Sequence, residues 1–152
     1  MHRRNPLEAK MSNDLDVKSI TKKFFAAYNA HDVDGMLALC ADGAQGRYLP
    51  YGKNSVMPIR GGLEKIWRGF PQTVPDFGVE IAEMIPGEDN TIVVQALLGG
   101  TMPADVLGLV KKGEVGRIAH AYILRYDTDG KISRLDCYWD NTAINAIKAS
   151  AL

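Results

Sequence analysis

The sequence predicts an α+β fold: helices first, then a mainly antiparallel sheet. Two observations carry this. Before Phe77 the apolar residues recur at helical spacing, in segments interrupted by Gly and Pro. After Phe77 the chain turns to short runs rich in Val, Ile, Leu and Tyr, separated by turn sequences. Helical segments followed by strands, rather than alternating with them, indicate α+β. At 152 residues the chain is long enough for one domain with a single core.

Each element has its own signal. In "DLDVKSITKKFFAAYNAHD", Val17, Ile20, Phe24, Ala27 and Tyr28 fall on one helical face, and Asp14 or Asp16 is placed to cap it. "HDVDGMLALCADGA" reads as a second, short helix with Asp32 as N-cap. "GRYLPYGKNSVMP" reads as a loop with at most one short strand. "GGLEKIWRGFPQTVPDF" reads as a third helix that stops before Pro71 or Pro75. "GVEIAEMI", "TIVVQALLGG", "GRIAHAYILRY" and "KISRLDCYW" are the strands, with "PGEDN" and "DTDG" as turns. "MPADVLGLVKKGE" is a longer connection with room for one helical turn. "DNTAINAIKASAL" reads as a C-terminal helix capped by Asp140 or Asn141. Residues 1–13 are expected to be a disordered tail or an expression remnant, and 14–152 a single domain.

Composition excludes several function classes. Lys plus Arg number 18 and Asp plus Glu 18, so the net charge is zero. A nucleic-acid partner would call for a basic face, so none is expected. No apolar run approaches a membrane span, and "MHRRNPLEAK" lacks the apolar core of a secretory signal, so the expectation is a cytoplasmic protein without a membrane partner. Cys40 and Cys137 form no C-x-x-C pair and read as two buried thiols. His2, His31 and His120 are too scattered for a zinc signature, and no metal is expected.

The hairpin "GRIAHAYILRYDTDGKISRLDCYWD" carries the chemistry. If Asp127–Gly130 is a four-residue turn, Tyr126 faces Lys131 and the pairs run back to Ile118 with Trp139. One face then holds Ile118, His120, Tyr122, Leu124, Ser133, Leu135, Cys137 and Trp139, with no charge on it. The other holds Arg117, Ala119, Ala121, Ile123, Arg125, Ile132, Arg134, Asp136, Tyr138 and Asp140. The uncharged face is expected inward, with His120 directly opposite Cys137, and Arg117–Asp140 and Arg134–Asp136 as outer charge pairs. An imidazole, a phenol, a thiol and an indole together fit either an apolar cavity with a few polar groups or a hydrogen-bonded core.

The stretches "FFAAYNAHDVDGMLALCADGA", "PIRGGLEKI", "GTMPADVLGLVKKGE" and "YILRYDTDGKISRLDCYWD" resemble the SnoaL-like polyketide cyclase and ketosteroid isomerase group of the nuclear transport factor 2-like superfamily. The resemblance implies a cone: three helices packed into a curved sheet around one deep pocket. It implies a homodimer paired through the outer sheet face, and general acid–base chemistry without cofactor. It does not transfer a catalytic set. The isomerases' first-helix tyrosine falls on Phe24, their base aspartate near Tyr48 or Leu49, and their second aspartate on Tyr122. The cyclases' histidine and aspartate fall on Tyr122 and Cys137. The epoxide hydrolases' aspartate also falls on Cys137, and their Arg and Asp near Leu97 and Gly99.

The resulting expectation is a cofactor-independent enzyme acting on a small apolar, cyclic ligand, of isomerase, cyclase, dehydratase or hydrolase type, without those carboxylates. His120 is the candidate base, since an imidazole titrates near neutrality and burial keeps it neutral. Tyr122 and Tyr28 are candidate donors to an oxyanion. Phe24, Gln95, Leu97, Leu135, Cys137 and Trp139 are the candidate binding wall. Cys137 beside His120 also permits a thiolate nucleophile. Asp105 reaches the pocket mouth only if its loop folds over it, and Glu80 faces inward only if its strand takes the opposite phase, so neither is a candidate site residue. A binding module and a structural homodimer of the same fold are the alternatives.

Overall fold

The computed structural model describes residues 15–52 and 54–144. The expected tail and all but the start of the C-terminal helix lie outside these residues. Helix α1 (Val17–Asn29) buries Val17, Thr21, Phe24, Phe25 and Tyr28, the face set by its apolar spacing. Asp16 is its cap, accepting from the Ser19 N–H at 3.0 Å. Helix α2 (Val33–Ala38) starts at Asp32, which accepts from the Gly35 N–H at 2.9 Å. Then the structure departs from the sequence reading. The chain from Cys40 to Tyr48 is strand β1, not the end of a helix and a loop. Its burial alternates only in part, with Ala44, Gly46 and Tyr48 buried around exposed Gln45, and this hid it. A short turn of helix at Leu49–Tyr51 leads to β2 (Val56–Pro58).

Helix α3 (Glu64–Thr73) runs through Pro71 and stops before Pro75, the second of the two expected ends. A proline in the last turn removes one backbone N–H near the end, where the helix has little further to run, and Val74 N still bonds Phe70 O at 2.7 Å. Four long strands follow: β3 (Gly78–Pro86), β4 (Thr91–Thr101), β5 (Val115–Tyr126) and β6 (Ile132–Trp139). The β4–β5 connection forms no helical turn; Val106 and Val110 bridge instead. The six strands form one sheet in the order β2-β1-β6-β5-β4-β3, antiparallel except for β1 against β6. Irregularities in the β1–β6, β3–β4 and β5–β6 ladders bend it, and the helices fill its concave side, giving the expected cone. No helix among the described residues is long and apolar enough to cross a membrane.

The hairpin register moved by two residues, for a reason that can be traced. The loop has five residues, Asp127–Lys131, so Tyr126 pairs with Ile132. Ile132, expected outside, is therefore buried. A bulge at Ser133 adds a second step, and from Arg125 opposite Arg134 the ladder runs regularly. Two single-residue steps restore parity. The faces stand as expected from Leu135 onward, while the neighbours change: His120 lies opposite Trp139, and Tyr122 opposite Cys137.

Candidate active site

A cavity of about 250 Å³ opens between the concave face and the helices. Tyr28 enters it from α1, Tyr48 from the end of β1, and His120 and Tyr122 from β5. Phe70, Val74 and Phe77 close one side; Met102 and Val106 from the β4–β5 connection and Ile144 close another. Tyr51, 55% exposed, stands at the mouth with Trp139 and Asn141. Among the described residues that line it, none is acidic or carries a fixed positive charge.

His120 has a defined tautomer. Its Nδ1 lies 2.9 Å from the Ile118 carbonyl oxygen. A carbonyl only accepts, so Nδ1 carries the hydrogen and Nε2 keeps its lone pair. Burial pushes the imidazole down to about 4, against a smaller upward pull from the Ile118 bond. The ring stacks on Trp139 at 4.8 Å and on Tyr122 at 6.1 Å, nearly parallel to both. His120 is thus a neutral acceptor held flat in an aromatic stack.

The phenols are donors. Burial raises Tyr28, Tyr48 and Tyr122 far above the ordinary tyrosine value, so they stay protonated. The Trp67 Nε1–H donates to Tyr48 Oη at 2.7 Å. Tyr28 Oη is buried and has no hydrogen-bond partner among the described residues, although the Tyr48 and Tyr122 phenols are its polar neighbours. An orphaned buried hydroxyl costs about 1–3 kcal/mol, which a ligand oxygen in the cavity would relieve.

Tyr28, His120, Tyr122 and Trp139 therefore come together as the sequence places them. The rest of the predicted wall does not line the cavity. Gln95 sits on the outer face of β4, exposed, because Ile92, Val94, Ala96 and Leu98 take the inner face. Leu97 shares that outer parity and borders a separate surface cleft with Glu80 and Arg117. Phe24, Leu135 and Cys137 are core, at 0%, 0% and 1% exposure. Cys137 lies beside Tyr122, and burial pushes its thiol far up, which disfavours a thiolate. Glu80 pairs outward with Arg117 at 2.9 Å, so the expected Arg117–Asp140 pair does not form; Asp140 accepts from Thr142 instead. Arg134 and Asp136 do pair, at 2.9 Å, on the outer face. Asp105 is exposed and accepts from the Lys112 N–H, not at the cavity. Sequence reasoning missed Tyr51, Phe77, Met102, Asn141 and Ile144, which lie on loops and turns without a periodic signal. Tyr48 was visible only through the resemblance, at the position the isomerases give to their base.

A three-helix cone with an apolar cavity defines a class of small-molecule enzymes and binders. The chain belongs to the SnoaL-like domain family, whose model matches residues 21–135. No curated protein matches it. Among solved structures, it is similar to IdmH of Streptomyces antibioticus, described as a candidate polyketide cyclase: 17% identity, TM-score 0.73, 87% of this chain and 97% of that one. It is similar to AclR of Streptomyces galilaeus, described as a candidate hydroxylase: 16% identity, TM-score 0.70, 88% and 96%. It is also similar to SalBIII, an epoxide hydrolase/cyclase-like enzyme of pyran ring formation in salinomycin: 20% identity, TM-score 0.68, 83% and 92%.

Proposed function

We propose that the protein is a cofactor-independent enzyme that isomerises, cyclises, dehydrates or hydrolyses a small, neutral, mainly apolar cyclic ligand. One observation carries this: a neutral imidazole with a free Nε2 lone pair and an unpartnered buried phenol face the same uncharged cavity. His120 Nε2 takes a proton from an acidic C–H or O–H of the ligand. Tyr28 and Tyr122 donate to the oxygen on which negative charge develops. His120 is a weak base in the empty cavity. Negative charge forming beside it strengthens it at the moment it is needed. No carboxylate takes part in this scheme. The same reading keeps the outer face of β5 and β6 for a homodimer, supported by the small side chains of exposed Ala119 and half-buried Ala121; a monomer on sedimentation at micromolar concentration would remove that part.

The test is a thermal-shift screen with cyclic ketones, epoxides and aromatic polyketide mimics, followed by turnover of any hit. A ligand at about 100 times its dissociation constant adds roughly 2.7 kcal/mol of stability. His120→Gln is expected to keep the shift and lose turnover by about 100-fold or more. Binding with no turnover by either protein would make the molecule a binding module.

A further inference from the structure

Asn141 lines the mouth of the cavity and has no part in the reaction scheme. Its neighbours fix its place. Strand β6 ends at Trp139, and Asp140 caps the short turn of helix at Asn141–Ala143. The Asp140 carboxylate accepts from the Thr142 N–H at 2.9 Å and from the Thr142 hydroxyl at 2.7 Å. One bond then orients the Asn141 amide. The Trp139 Nε1–H lies 2.8 Å from Asn141 Oδ1. An indole N–H only donates, so the atom that faces it is the amide oxygen and not the nitrogen. The NH2 group is left at the other end of the planar amide, and it donates to none of the described residues.

The two ends of the cavity therefore ask different things of a ligand. The inner end is dry: Tyr28 is 4% exposed and its hydroxyl has no partner among the described residues. The outer end is wet: Asn141 is exposed there, beside Tyr51 and Trp139. An exposed amide is solvated while the cavity is empty. A ligand that fills the mouth takes that water away, and one without an acceptor at its outer end leaves the NH2 group unpaired. The Tyr51 hydroxyl can turn to donate or to accept, so it does not choose between ligand groups. The NH2 group only donates, so it does. The oxygen of the same amide holds the indole that stacks on His120 at 4.8 Å, so the donor is fixed beside the wall of the site.

We propose that Asn141 is a specificity-determining residue: its NH2 group takes an acceptor oxygen at the outer end of the ligand, and the cavity thereby prefers elongated cyclic compounds with an acceptor oxygen at each end over those with one alone. The proposal rests on reading the cavity as a working site and adds to it a second point of recognition. Tyr28 meets the inner oxygen and Asn141 the outer one. A neutral ether or carbonyl oxygen serves at the mouth, because the discrimination comes from pairing a donor and needs no charge.

The probes are 2,6-dimethoxynaphthalene, with an ether oxygen at each end, and 2-ethyl-6-methoxynaphthalene, in which a methylene replaces one oxygen at nearly the same shape. Both are two-ring molecules in scale with the cavity. The first is symmetric, so it offers an acceptor at the mouth whichever way it enters. The quantity read is the ratio of the two dissociation constants by fluorescence titration, compared between proteins so that the unequal hydrophobicity of the probes cancels. Asn141→Asp keeps an oxygen for the Trp139 N–H and replaces the NH2 group by a second acceptor. It is expected to lower the preference for the dimethoxy compound by about fivefold or more relative to wild type. Asn141→Leu removes both ends of the amide and is expected to lower it by a similar factor, so the proposal does not hang on one variant folding. A preference that survives in either folded variant would leave the amide as an anchor for Trp139 only, and would overturn the proposal while the cavity stays a binding site. Binding of neither compound to wild type would overturn the proposal together with the reading beneath it. Turnover has no bearing on either readout.

Discussion

At the scale of single residues, His120 shows how far a sequence speaks. Its parity on β5 was readable from the alternation of charges across the hairpin, because one face had none. Its tautomer was not readable, because that depends on a carbonyl two residues back along the same strand. Its environment was half readable: the indole of Trp139 was expected beside it, but with Ile118 rather than His120 as its direct cross-strand partner. Burial lowers this imidazole from 6.5 to about 4. Between those values the unfolded chain binds a proton that the folded chain refuses. Stability from this residue is therefore complete above about pH 6.5 and is lost as pH falls toward 4. The melting temperature of wild type is expected to drop more steeply over this window than that of His120→Gln. Carboxylates titrate over part of the same range in both proteins and cancel in the difference. Parallel melting curves would mean that the ring is hydrated and ordinary.

At the scale of elements, long periodic segments were legible and irregular ones were not. Helix α1 and the caps Asp16 and Asp32 followed from spacing and side-chain chemistry. Strand β1 escaped because its parallel partner β6 lies far along the chain, so no local turn announces the pairing. Long-range ties of this kind also hold the edge of the sheet. Among the described residues β3 pairs only with β4, which leaves its other side without a neighbouring strand. Asn29, the last residue of α1, closes part of it. Its Oδ1 accepts from the Val79 N–H at 2.6 Å, and its Nδ2 donates to the Val79 carbonyl at 2.8 Å. The amide thus stands in for a neighbouring strand and ties the helix that carries Tyr28 to the sheet. Asn29→Ala orphans both backbone groups. The expected cost is about 1–3 kcal/mol by urea unfolding, with Asn29→Asp losing at least the donated bond. A change below about 0.5 kcal/mol would mean that water replaces the amide without loss.

For the molecule as a whole, the sheet separates charge from the site. Arg47, Arg134 and Asp136 gather on the outer face, with the guanidiniums 3.5 and 2.9 Å from one carboxylate. The cavity lining holds phenols, an imidazole, an amide and apolar groups. That division was legible as two hairpin faces, but the far wall was not, since it comes from the α3–β3 turn and the β4–β5 connection. It has a kinetic consequence. If His120 is the base, the same lowered imidazole that weakens the fold in acid must also set the acid limb of the rate. The profile of kcat/KM is expected to be level from pH 8 to about 6 and to fall with a midpoint near 4, not near 6.5. A carboxylate base would produce a similar midpoint, so the charge type of the group has to be read as well. Ionising a carboxylic acid creates charge, whereas deprotonating an imidazolium only moves it. Added methanol therefore raises the first pKa and leaves the second nearly still. Initial rates taken well below the melting temperature, with and without methanol, separate the two. A midpoint that climbs with methanol would take the base away from His120 and assign it to a carboxylate outside the cavity lining described above.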